Sequence, residues 1–180
     1  MTYKLRIAIM ATLVTVMPLA AVSASAQTAS GTLAITAMVA GSINLVFNKD
    51  ASGASLSGAG TNAATLAFGT VQAYGGTLPT GVTRTVDGSN FTVSSIFDIQ
   101  VSKMNSASAS YTLKAQLNTA DAVNTWQVGG NTITNAAPVT ITATGAYAAN
   151  VPYALALTIP FTTASNTNIS NIVNFTATAN

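Results

Sequence analysis

The chain has 180 residues, six Lys plus Arg, four acidic residues and a formal charge of +2. Histidine, cysteine and glutamate are absent, which removes disulfides, a thiol nucleophile, the imidazole base and most zinc and copper donor sets. The basic residues are scattered, so no nucleic-acid surface is expected, because phosphate binding needs clustered Lys and Arg.

Taken in chain order, residues 1–26 read as a cleavable secretory signal. Lys4 and Arg6 precede the apolar run "IAIMATLVTVMPLAAV", and Ala24-Ser25-Ala26 supplies a small-x-small cleavage site. A retained membrane anchor is the alternative, but the apolar run is shorter than the roughly 20 residues of a span. Cleavage leaves 27–180 as a single domain. There Lys49, Arg84, Lys103 and Lys114 balance Asp50, Asp87, Asp98 and Asp121, so the positive charge belongs to the precursor. The expected location is outside the cytoplasm: periplasm, cell surface or extracellular space. No transmembrane span is expected after cleavage, because no later stretch is long and apolar enough.

Beyond the leader the hydrophobic period is two. The segments 31–40, 43–47, 64–73, 82–86, 90–95, 97–102, 110–118, 125–128, 131–134, 138–144, 151–160 and 170–179 read as strands, rich in Thr, Val, Ile and aromatics. "SYTLKAQLN" shows the pattern: Tyr111, Leu113, Ala115 and Leu117 share one face, and Thr112, Lys114 and Gln116 the other. Gly129-Gly130 marks a tight hairpin, and 48–63 is the longest loop. No helical stripe supplies crossovers for parallel strands, so the expected fold is an all-β, antiparallel β-sandwich. A transmembrane barrel alternates too, but it wants aromatic girdles, and aromatics are 7% of this chain.

Little here promises catalysis. Asp50, Asp87 and Asp121 sit in turn contexts, and Asp98 sits on the polar face of a strand, where solvation is expected. No loop has the carboxylate spacing of a calcium site. No enzyme activity, cofactor or metal is expected. The Asn-x-Ser/Thr triplets at Asn90, Asn168 and Asn174 read as products of an Asn- and Thr-rich composition, as do the Thr rows at 140–144 and 176–178. Trp126 is either a core residue or a platform for stacking a sugar.

The segment order carries a resemblance. "SGTLAITAMVAGSINL" follows the leader, then comes a loop of small residues, then "TLAFGTV", and an alternating strand closes the chain. In Gly31, Leu33, Ile35, Ala37 and Val39, then Leu66, Phe68, Gly69 and Thr70, then Val173 and Phe175, the chain resembles secreted β-sandwich subunits of the spore coat protein U and chaperone–usher pilin type. It departs from them in lacking the early cysteine pair and the tyrosine near the end. The resemblance implies an immunoglobulin-like β-sandwich that is a structural subunit of a fimbrial-like fibre or coat, involved in surface assembly or adhesion. Its partners would be itself or other surface subunits, joined by strand donation. Leu33, Ile35, Ala37 and Val39, on one face of 31–40, are the candidate donor strand; the same segment could instead pair within its own domain. The rival function is a secreted carbohydrate-binding module without catalysis, using Trp126, Tyr74 or Tyr147.

Overall fold

The computed structural model describes residues 32–180. Residues 1–31, which include the expected leader and cleavage site and Gly31 of the expected first strand, lie outside the described residues. The chain divides into two units near residue 37, and the larger unit, 38–180, is the folded body. Residues 32–41 belong to no strand and are exposed along their length, including Leu33, Ile35 and Val39.

The body is all-β. Its strands are β1 (Ser42–Lys49), β2 (Leu56–Ser57), β3 (Thr65–Leu66), β4 (Val82–Asp87), β5 (Asn90–Met104), β6 (Tyr111–Leu117), β7 (Thr125–Val128), β8 (Asn131–Ile133), β9 (Val139–Gly145), β10 (Asn150–Pro160) and β11 (Val173–Ala179). All pairings are antiparallel. The larger sheet runs β1-β5-β10-β7-β8, with β4 also on β5; the smaller runs β11-β6-β9; β2 and β3 pair alone.

The alternation in the sequence builds these sheets around a shared core. In β5, Phe91, Val93, Ser95, Phe97, Ile99 and Val101 all point inward and are buried. Strand β10 lies along one edge of β5 from Asn90 to Gln100, and β4 and β1 divide the other edge between them. Facing it, β6 contributes Tyr111, Leu113, Ala115 and Leu117, all buried. Each fully buried Val, Leu or Ile is worth about 1.5–3 kcal/mol, which is how a cysteine-free chain holds two sheets together.

Two local features follow directly from residue type. Gly129 and Gly130, at φ 56° and 79°, make the two-residue turn between β7 and β8, where both central residues need positive φ. At Gly145 the Tyr111 ring lies where a Cβ would stand, so this glycine admits the buried tyrosine.

Three expectations need correction. Residues 90–95 and 97–102 are one 15-residue strand; Ser95, which interrupts the apolar pattern, is buried and donates its Oγ–H to the Gly81 carbonyl at 2.9 Å. Of 64–73 only Thr65–Leu66 is strand. Gly69, at φ 66° and close against Pro79, turns the chain out of extended geometry. The expected strand at 31–40 is not formed over its described residues.

Candidate functional site

A groove of about 1930 Å³ opens in the body. Its floor is core: Trp126 of β7 with Leu155, Leu157 and Ile159 of β10. Its walls are segment 62–74, which is irregular apart from β3, and the irregular segment 163–172, together with β1 and the start of β11. Phe47, Phe97 and Phe175 meet edge-on within it, with Phe175 5.5 Å from Phe47 and 5.8 Å from Phe97 between ring centres. Ile43, Leu45, Phe68, Val71, Val173 and Phe175 pack on the core but remain only half-buried.

One wall is a free strand edge. Among the described residues β11 pairs only with β6. The Asn118 N–H donates to the Ile172 carbonyl at 2.8 Å, and the Asn180 N–H to the Ser110 carbonyl at 3.0 Å, so even-numbered residues of this segment bond toward β6. By alternation, the N–H and C=O groups of Val173, Phe175 and Ala177 point away from β6. These residues also turn their side chains to the core. Hence the edge offers backbone donors and acceptors beside apolar side chains.

The opposite wall is complementary. The Phe47 N–H donates to the Thr61 carbonyl at 2.9 Å, and Phe47 accepts from the Gly60 N–H at 2.7 Å, so Phe47 bonds away from β5. Ile43 and Leu45 therefore also direct their backbone groups away from β5, and their side chains pack on the core. Strand β1 begins opposite Met104 and β11 ends beside Ser110, while Phe47 and Phe175 touch. The two strands thus run in opposite directions on either side of the groove.

Trp126 is 5% exposed, and its Nε1–H donates to Asp121 Oδ2 at 2.8 Å. It forms floor, not an open platform. Burial pushes the Asp121 carboxyl up, but the Asn124 backbone N–H, the Trp126 indole, the Asn124 amide and the Val123 N–H outweigh it and hold the pKa at about 2. Tyr147 is also engaged: its hydroxyl donates to the Ser110 carbonyl at 2.9 Å, and Lys103 Nζ sits 5.0 Å above its ring. Tyr74 is 70% exposed, 5.8 Å from Phe161 at one end of the groove; Arg84 Nη1 fixes its loop by donating to the Gln72 and Gly75 carbonyls, each at 2.7 Å. Asp98 is not freely solvated. Its Oδ1 is enclosed without a partner, and burial, aided by the charge of Asp50, raises its pKa.

Among the described residues no three His, Cys, Asp or Glu side chains gather as a metal-holding group. Leu33, Ile35, Ala37 and Val39 form no site of their own. Sequence alone does not mark the groove-facing residues of β1 and β11 as a site, because their alternation is that of any half-buried strand. Comparison with protein-family models, curated proteins and solved structures finds no match to this chain.

Proposed function

We propose that the chain is an exported, non-catalytic subunit of a surface fibre or coat, an immunoglobulin-like sandwich that lacks one strand. A second copy fills the groove with residues 33–39, laid along β11. The observation that carries this reading is the free edge of β11 beside an apolar groove. A strand added there would meet the backbone groups of Val173, Phe175 and Ala177, and its alternate side chains would descend onto the floor. Leu33, Ile35, Ala37 and Val39 have that spacing and stand exposed. The resemblance to spore coat protein U and chaperone–usher subunits belongs to this proposal, and the order β1-β5-β10-β7 facing β11-β6 supports it. Near-zero net charge after leader removal leaves little repulsion between copies.

The test separates donor from acceptor. Residues 27–180 carrying Leu33→Asp and Ile35→Asp are expected to stay monomeric in size-exclusion chromatography, yet to bind a labelled wild-type 30–41 peptide. Polymers that persist in this variant, or a folded variant that ignores the peptide, would contradict strand donation. Sugar binding at Tyr74 is the second reading, favoured by its exposed ring and pinned loop; glycan-dependent quenching that Tyr74→Ala abolishes would support it.

A further inference from the structure

We infer that residues 68–78 form a flap, latched by Arg84, that gates the groove: it lifts for an extended segment to enter or leave and closes over it. This rests on the strand-acceptance reading above and concerns its regulation.

The contrast between packing and backbone bonding carries the inference. Phe68, Val71, Ala73 and Leu78 pack on the core, and the first three line the groove. Yet among the described residues no backbone–backbone hydrogen bond involves any residue from Phe68 to Leu78. The last one before them runs from the Ala67 N–H to the Ser55 carbonyl at 3.3 Å, and the first after them from the Val82 N–H to the Pro79 carbonyl at 3.1 Å. A strand cannot leave the body without breaking a ladder; this segment can lift without breaking one. Gly69 and the pair Gly75-Gly76, all at positive φ, stand near its two ends. The opposite wall is tied differently: Asn171 Nδ2 donates to the Thr119 carbonyl at 2.9 Å, and the Thr119 N–H to Asn171 Oδ1 at 3.3 Å.

Two contacts keep the flap down. Arg84 lies opposite Val93 in the β4–β5 register, so its side chain sits on the core-facing side of its strand. A guanidinium there must find acceptors, and its Nη1 donates to the Gln72 and Gly75 carbonyls, both within the segment. At the tip, the Tyr74 ring meets Phe161, which stacks on Phe91 at 6.4 Å. This contact stands at the Phe91 and Ile159 end of the groove floor. The latch is the same whether the groove is empty or filled, so it slows entry and exit alike and leaves affinity unchanged.

Rates test this where affinities would not. The Leu33→Asp, Ile35→Asp monomer of residues 27–180 is compared with and without Arg84→Met, which keeps a long apolar stem and removes the donors. Arg84→Met is expected to raise both the association and the dissociation rate of the labelled 30–41 peptide by at least about fivefold, with Kd within about twofold. Without peptide, it is expected to raise acrylamide quenching of Trp126, the only tryptophan, which forms groove floor. Tyr74→Ser, at an exposed ring outside the core, should move both rates the same way. Faster dissociation alone would make Arg84 a brace of the wall, and unchanged rates with unchanged quenching would leave no gate; either result overturns the flap. A peptide that binds neither protein overturns strand acceptance, and quenching then decides the flap by itself.

Discussion

Strands β5 and β11 carry the same alternating pattern and end in different circumstances. β5 has neighbours on both edges, and its inward residues from Phe91 to Val101 are all buried. Among the described residues β11 has a neighbour on one edge, and its inward residues Val173, Phe175 and Ala177 are half-buried. The alternation encodes which face of a strand is apolar. It does not encode how many strands lie beside it. Where the count falls short, backbone groups and core side chains are left together at one edge, the combination an extended segment can complete.

The largest expected effect breaks that comparison at neighbouring strands of one sheet. Leu113→Ala, at a fully buried position of β6, is expected to cost about 3 kcal/mol in denaturant unfolding and to leave uptake of the 30–41 peptide unchanged. Phe175→Ala, on the open edge, is expected to cost about 1–2 kcal/mol and to weaken peptide uptake well beyond that of Leu113→Ala. Equal effects of the two on uptake would erase the distinction between closed and open strands.

Asp121 sharpens it at the groove floor, because its carboxylate fixes Trp126. Its folded pKa of about 2 lies below the ordinary value of 3.8, so its contribution is complete above about pH 4 and is lost as pH falls toward 2. Asp121→Asn is expected to lower stability at pH 7 by about 1 kcal/mol, a figure reduced for solvent screening, with the difference shrinking across that acid window. Thermal melts at stepped pH measure it; a pH-independent difference would remove the charge from the explanation.

The smallest effect lies on the outer face of β5, which has neighbours on both edges yet carries the partnerless Asp98 oxygen. Its raised pKa means the fold disfavours the charged form, so this group costs stability at pH values above its folded pKa. Asp98→Asn is expected to raise stability by about 0.5 kcal/mol at pH 7, and to lose that advantage once the carboxyl is protonated in both states. A lower melting temperature at pH 7 would show that Asp98 has a favourable partner.

Most of the strands could be read from residue spacing because each buries one face, and burial leaves its period in the sequence. The Gly129-Gly130 turn was legible for a different reason: positive φ selects glycine. Ser95 hid the continuity of β5, since a buried serine satisfied by a carbonyl looks like a break. Residues 64–73 misled in the other direction. Leu66, Phe68 and Val71 do pack on the core, but they line a groove and, beyond Leu66, have no strand partner. The resemblance, not spacing, makes 31–40 a candidate donor strand. The groove is not legible locally, because its walls β1 and β11 are far apart in sequence and only the fold brings them to opposite sides of one opening.

Amide hydrogen exchange at the β11 edge tests strand acceptance most directly. In the folded Leu33→Asp, Ile35→Asp monomer, the amides of Asn174, Thr176 and Thr178 should be protected by β6, while those of Val173, Phe175 and Ala177 exchange fast. Saturating 30–41 peptide should slow the second set and leave the first unchanged. If Val173, Phe175 and Ala177 are already protected without peptide, or stay fast when it is bound, the edge of β11 is not where a strand is added.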